Sequence, residues 1–466
     1  MSVKFKIDDL TDEEKKKIAN DLIVYSEDTK FGPGKSTTCF SITESPDRIL
    51  VPIYYARNIL MKKRGSEKIK HERLPEHFEE FNATLRPNQE PILNQVLTML
   101  TKTRVAMMEL YCGFGKTLGA IYLSTRLRYK VVVLYPRKLI GKQWKSEFLK
   151  FAPNFKPQLL ETKTKIDPEA SAYLVFQRTL TKLDVSQMGS VGVVIVDEAH
   201  MAGTELAIKN TLHLQPKYLI GLTATPDELG GKSNPVLDKI FGPERATAKL
   251  NRHHKVFCVR TRLVPPVVMG KMSIDWGKTL EWQALHKKRN KLIVHIIENL
   301  PESRNMLVLC KRTDQLEILK AMLEKKGLKP ETLYGTKDDY SKESRILLGT
   351  ISKTGVGFSD SRLNTLIYAA DMVDVRQTLG RVFRTESGVP WIIDVVDEGL
   401  MYKHYLKRRK IYVSCGGETI PYQSYFKDVD IDRFIGKSEE SEDDLEDDLK
   451  PKQIDKNVLR RIMRRG

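Results

Sequence analysis

Three Gly-Lys-Ser/Thr triplets stand in the chain: Gly34-Lys35-Ser36, Gly115-Lys116-Thr117 and Gly231-Lys232-Ser233. A lysine beside a hydroxyl residue can serve a phosphate chain and its divalent cation. It does so only where a strand enters a tight turn and a helix begins behind it. Context separates the three. FGPGKSTTCF has no apolar strand ahead of it, and GGKSNPV carries Pro235 where a helix interior rejects it. In RVAMMELYCGFGKTLGAIYLSTRL a strand-like run precedes Gly113, Phe114 and Gly115, and an amphipathic stretch follows. Lys116 there reads as the cation on the β- and γ-phosphates of ATP, and Thr117 as a ligand of Mg²⁺. The spacing G-x-x-x-x-G-K-[ST] has Leu110 in place of its first glycine.

Such a loop needs acids to complete it, and VGVVIVDEAH supplies them. An apolar run delivers Asp197 to the end of a buried strand, where α/β sheets present their ligands. Asp197 suits Mg²⁺, directly or through water, and Glu198 suits a general base on the attacking water.

Two α/β lobes are the expected frame. Apolar runs rich in Val and Ile alternate with amphipathic segments from about Thr84 to Val396. Runs of that kind are the signature of parallel strands covered on both faces. The first series is Val105–Leu110, Val131–Tyr135, Tyr173–Phe176, Val193–Val196 and Tyr218–Leu222. The second is Met306–Cys310, Thr332–Tyr334, Ile346–Gly349, Leu366–Ala370 and Trp391–Val396. The boundaries read as an accessory module over 1–78, a first lobe over 79–250, a second over 251–412 and a tail over 413–466. Eight acids between Glu439 and Asp448 make that tail read as disordered, with the basic RRIMRR behind them.

Composition narrows the class. With 466 residues and 41% apolar content, two or three cores are affordable. The net charge of +18 points to a polyanion, most simply nucleic acid. Five scattered cysteines without a C-x-x-C pair argue against a disulfide framework or zinc module. No apolar run is long enough for a membrane span, and MSVKFKIDDLTDEE lacks a signal-peptide centre. A soluble intracellular protein, able to work as a monomer, is expected; cytoplasm, nucleus and virion are not distinguished. His253-His254 lacks ligand spacing and reads as a satisfied or solvated pair. Tyr54, Tyr55 and Arg57 in VPIYYAR read as a core strand end, with base stacking as a second idea. LHKKRNKLIVHII reads as an amphipathic helix with Lys287, Lys288, Arg289 and Lys291 on its wet face.

The ordered motifs resemble those of superfamily 2 helicases and translocases of the DEAH-spelled, XPB-like branch. LRPNQ resembles the segment whose glutamine, here Gln89, reads the adenine edge. LYPRKLIGKQW is similar to a nucleic-acid-contacting motif, implying contacts from Pro136, Arg137 and Gln143, with Gln143-Trp144 typical of the branch. GLTATP places Thr223 and Thr225 in the motif that couples hydrolysis to movement. ILLGTISKTGVGF implies that Thr350 and Gly357 face the strand backbone and the nucleotide. QTLGRVFR matches Q-x-x-G-R-x-x-R, which assigns arginine-finger roles around Gln377, Arg381 and Arg384. One departure is Ser359 where the family has Asp, with Asp360 beside it. FSITESPDRILVPIYYARNIL adds a likeness to compact helicases of large DNA viruses, including the poxvirus transcript-release helicase, and to the phage UvsW type.

The resemblance implies two RecA-like lobes with ATP and Mg²⁺ at their junction, and a nucleic-acid track, DNA rather than RNA. It also implies a transcription or repair partner for residues 1–78. Two other readings stay open here. One is an ATP-gated scaffold subunit that binds nucleic acid without unwinding it. The other is a P-loop kinase or GTPase, against which QTLGRVFR and the lack of a guanine-reading N-K-x-D both count.

Overall fold

The computed structural model describes residues 1–25, 36–43, 47–61, 69–224, 235–270, 274–335, 337, 339–354, 360–383 and 388–435. Two seven-stranded parallel sheets dominate it. The first runs in the order Ala246–Ala248, Val105–Leu110, Tyr218–Thr223, Val191–Val196, Lys130–Tyr135, Ala172–Phe176, Pro157–Leu160. The second runs Glu331–Leu333, Ile346–Thr350, Met306–Cys310, Thr365–Tyr368, Trp391–Val396, His254–Arg260, Gly417–Pro421. Every neighbouring pair in both is parallel. The central strands VGVVIV and MLVLC are apolar throughout and buried between helices, as sheets covered on both faces demand. These are the two α/β lobes that the sequence patterning implied, of the RecA-like kind that the resemblance implied.

Each sheet has two strands more than the five apolar runs announced. Pro157–Leu160, Ala246–Ala248 and Gly417–Pro421 are short edge strands, partly solvated and so poor in hydrophobic signal. His254–Arg260 lies inside the second sheet, but its run HKVFCVR is broken by charge. His254 is buried, its ring 4.7 Å from that of Phe383 and its Nδ1 bonded to the Arg252 carbonyl.

Both outer boundaries of the two-lobe reading shift. The second lobe does not stop at Tyr412: Gly417–Pro421 pairs with His254–Arg260, and Tyr422 and Ile431 lie in the lobe's core. The acidic block and the basic end lie outside the described residues. At the other end, the first residues are not a module apart. The antiparallel strands Ser2–Lys6, Arg48–Pro52 and Ser41–Thr43 carry Phe5, Leu50 and Val51. These join one continuous core with Val132, Val194 and Phe241 of the first lobe. Ser2 N donates to the Leu214 carbonyl at 2.9 Å. The helix Ile53–Asn58 packs on the helix Pro235–Phe241. Tyr55 sits in that core with its hydroxyl on Asp21 Oδ2 at 2.7 Å, which removes it as a base-stacking platform. Among the described residues no helix is long and apolar enough to cross a membrane.

The helix Lys287–Glu298 corrects another expectation. Lys287, Lys288 and Lys291 are exposed, but Arg289 is 0% exposed. Its Nε bonds Asp397 Oδ2 at 2.9 Å, and its Nη atoms reach the carbonyls of Ala369 and Val395. Thr261 Oγ1 and Gln283 Nε2 also donate to Asp397. Helical spacing had placed Arg289 among lysines, and the acid that buries it is over a hundred residues away. Asp397→Ala leaves this guanidinium charged and unpaired. It should destabilise the protein by about 3–5 kcal/mol, whereas pairing it with Arg289→Met should recover most of the loss. Denaturant midpoints of the two variants measure this.

Candidate active site between the two sheets

The strand Val105–Leu110 ends in the turn Tyr111–Gly115, and the helix Lys116–Leu127 starts immediately behind it. Gly113 and Gly115 have φ of 93° and 97°, a region that L side chains rarely adopt. Gly115 is constrained twice, because a Cβ there would lie 2.6 Å from Gln89 Nε2. The absent first glycine is explained by Leu110. Its side chain is buried in the lobe core, while its carbonyl accepts Lys116 Nζ at 3.0 Å. Only the Leu110 backbone faces the loop, so a side chain costs nothing there. Phe114 likewise offers backbone alone: its ring is buried, edge-on to Tyr111.

Gln89 is 1% exposed, and both ends of its amide are occupied. Its Oε1 accepts from Arg86 N at 2.8 Å and its Nε2 donates to the Phe114 carbonyl at 2.6 Å. Here it braces the loop rather than presenting an open edge to a base. Arg86 adds bonds to the carbonyls of Gly113 and Phe114. It stands in LRPNQ but was not singled out from sequence.

Asp197 lies just past the strand Val191–Val196. Its Oδ1 accepts from Glu198 N at 3.0 Å and its Oδ2 from Trp144 Nε1 at 3.0 Å. Burial, then the neighbouring Glu198 charge, push the Asp197 carboxyl up to about 6. The Trp144 bond and the Lys116 charge oppose that rise. Glu198 takes a left-handed conformation, φ 49° and ψ 52°. An unbranched acid pays on the order of 1–2 kcal/mol for this. It turns the chain sharply just past the C-terminal end of the central strand. Glu198 Oε2 lies 3.5 Å from His200 Nδ1, which is 2.9 Å from Thr223 Oγ1. A chain of side chains thus joins the acidic loop to the end of the next strand. Trp144 and His200 are the contributors that sequence reasoning missed. Trp144 was legible only as half of the branch-typical pair Gln143-Trp144, and its polar tip gave no sign of its partner.

The second lobe closes the site. The helix Arg376–Val382 lies against the loop of the first lobe so closely that a Cβ on Gly380 would be 2.3 Å from the Cys112 carbonyl oxygen. Gln377 is half-buried one turn earlier. Arg381 is 6% exposed; burial pulls its guanidinium below the ordinary value, while the nearby charges of Cys112 and Glu198 pull the other way. Arg381 therefore lies within electrostatic reach of Glu198 on the acidic loop of the other lobe. A second tie crosses at Arg137, whose Nη1 donates to the Ser352 carbonyl at 3.3 Å. Ser352 Oγ stands 3.4 Å from Thr350 Oγ1. Pro136 precedes this tie, and Gln143 on the following helix is bonded to Glu147. Asp360 is buried and committed to Arg362 and the Tyr340 hydroxyl, at 2.8 and 3.0 Å. Thr225, Gly357, Ser359 and Arg384 lie outside the described residues.

Comparison with known proteins agrees with this arrangement. Residues 82–228 match the family model described as the res subunit of type III restriction enzymes. Putative helicase 161L of Invertebrate iridescent virus 6 is 32% identical over 374 residues, covering 74% of this chain and 84% of that protein. Putative helicase 055L of Frog virus 3 is 29% identical over 350 residues, covering 72% and 79%. Transcript termination protein A18 of Yaba-like disease virus is 23% identical over 431 residues, covering 83% and 87%.

Gly380→Ala tests the junction, because the backbone it would strike cannot swing aside as a side chain can. The variant should still bind ATP, with affinity within about threefold of the parent. Its hydrolysis should fall by about 10²-fold, the scale of a 1 Å misplacement of reacting groups. Titration with a fluorescent nucleotide and a phosphate-release assay read the two separately.

Proposed function

Because the chain belongs to the superfamily 2 helicases of large DNA viruses, and is an ATP hydrolase on that account, we propose that it is a motor that moves along DNA by cycling the junction between its lobes. The observation that carries this reading is the meeting of Gly380 with Cys112, which brings the next residue, Arg381, within electrostatic reach of Glu198. Lys116 leaves the Leu110 carbonyl for the β- and γ-phosphates, and the amides of Gly113 to Gly115 surround them. Thr117 and Asp197 hold Mg²⁺, which would supply charge neutralisation at the phosphates when bound. The donor set fits such an ion: one hydroxyl, and one buried carboxylate with a second acid, Glu198, beside it. Glu198 orients and deprotonates the attacking water. Arg381, with Gln377 and Arg384, stabilises charge on the transferred phosphoryl group, so hydrolysis requires closed lobes.

A strand held by Arg137 on one lobe and Thr350 on the other is drawn along as the lobes part and close. The net charge of +18 suits a phosphate track, and the relative titled as a transcript termination protein supports a role in transcription; recombination and repair are the neighbouring settings.

Phosphate release should be measured alone and with single-stranded RNA, single-stranded DNA, duplex and forked DNA, using Lys116→Ala as the blank. Strong stimulation by DNA is expected. Hydrolysis indifferent to every nucleic acid, yet lost in the blank, would sink the motor. Glu198→Gln should lower stimulated turnover by about 10²–10⁴-fold, the usual contribution of a positioned base.

The raised Asp197 carboxyl gives a pH signature. Its folded value lies above the ordinary one, so the stability it contributes is present at low pH and lost as pH rises through about 6. Mg²⁺ needs the charged form, so Mg²⁺-dependent nucleotide binding should be weak below pH 6 and level off above 7. Trp144→Phe removes a bond to the charged form and should move that rise to higher pH. Nucleotide titrations from pH 5 to 8 measure both.

A further inference from the structure

The helix Lys138–Phe151 has two faces with different business. Lys138, Lys142 and Lys145, at i, i+4 and i+7, are exposed along one side. Ile140, Trp144 and Phe148, at i, i+4 and i+8, are buried on another. The lysine stripe spans about 10 Å, roughly three phosphates of one strand of a duplex. On the buried face the Trp144 indole packs 6.0 Å from the Phe148 ring and gives its N–H to Asp197.

We propose that this helix carries the occupancy of a nucleic-acid strand to the Asp197 carboxylate, with Trp144 as the positioning residue. The inference rests on the motor reading above and adds to it the route by which a bound strand alters the ATP site.

Three constraints support the route. Asp197 is held from two sides, Oδ1 by the amide of its own loop and Oδ2 by the helix, so a moving helix changes one bond and leaves the other. The bond is 3.0 Å long, and a slide of about 1 Å takes it beyond hydrogen-bonding range. The helix is also stiff. At Gly141 it presses so closely on Tyr135 that a Cβ would lie 2.3 Å from the tyrosine hydroxyl oxygen, which leaves little room for local bending. A polyanion drawn onto the lysine stripe therefore acts on Trp144 about 9 Å along the axis from Lys138. Arg137, immediately ahead of the helix, is tied to Ser352 of the other lobe, so lobe closure bears on the same lever.

Linkage makes this testable without hydrolysis. If a strand changes the affinity of the ATP site, the nucleotide must change strand affinity by the same factor. Anisotropy of labelled single-stranded DNA should be measured with and without Mg²⁺ and a non-hydrolysable ATP analogue. In the parent protein the nucleotide should change strand affinity by about tenfold. In Trp144→Phe the factor should fall to within about twofold of one, with nucleotide-free strand affinity little altered. A variant that keeps the parental factor overturns the proposal. So does a parent that binds the strand equally with and without nucleotide, and in that case strand-stimulated hydrolysis still upholds the motor. A parent that binds no strand overturns the motor reading and this inference together. Should Trp144→Phe fail to fold in a thermal melt, protein grown with the sulfur isostere of tryptophan, which keeps the rings and lacks the N–H, takes its place under the same criteria. The pair Lys142→Ala and Lys145→Ala should weaken strand binding at least about fivefold while sparing nucleotide affinity without strand. Undiminished strand binding in that pair overturns the proposal, because the strand then does not rest on this helix.

Discussion

Two backbones from different lobes meet at Gly380 and Cys112 with no room between them for a methyl group. Much of the site depends on that approach. It brings the helix Arg376–Val382 onto a loop that is itself braced from behind by Gln89 and Arg86, so neither side of the contact is soft. A side chain at that contact would hold the lobes apart by more than an ångström. Arg381 would then stand farther from Glu198 of the acidic loop. The need for glycine here is a matter of distance between chains, unlike Gly113 and Gly115, where backbone torsion demands it.

For one lobe to press on the other, each must resist deformation, and the two do so differently. The first relies on apolar packing that runs from the opening strands through the sheet to the helix Pro235–Phe241. The second adds charge. Asp397 with Arg289, and Asp394 and Asp371 with Arg408, tie together the C-terminal ends of neighbouring strands beneath the site. Buried pairs of this kind contribute modestly to net stability but strongly penalise any displacement that strands one partner. They suit a lobe that holds its shape as a rigid body.

The sequence made legible what rests on local pattern. The central strands and the Lys116 loop were readable because apolar runs and turn residues are contiguous in the chain. What stayed hidden is set by distant partners. Arg289 looked like its lysine neighbours until Asp397 was placed beside it. Trp144 was only half of a family dipeptide until its N–H met Asp197. Gln89 was assigned to a base by resemblance, yet its amide is spent on Arg86 and Phe114. The edge strands Pro157–Leu160 and Gly417–Pro421 escaped because an edge is half-wet and needs little hydrophobic signal.

The continuous core of the first lobe bears on how the chain is made. Phe5, Leu50 and Val51 close against Phe241 and Ile240, and Ser2 is hydrogen-bonded to Leu214. As the polypeptide leaves the ribosome, its opening strands are synthesised long before the residues that cover them. Their apolar face must wait, exposed or chaperoned, through roughly two hundred residues of translation at several residues per second. The last strand of the first sheet, Ala246–Ala248, is completed only a few residues after that cover arrives. The first lobe therefore comes together late and nearly all at once, with the second lobe already beginning to emerge behind it.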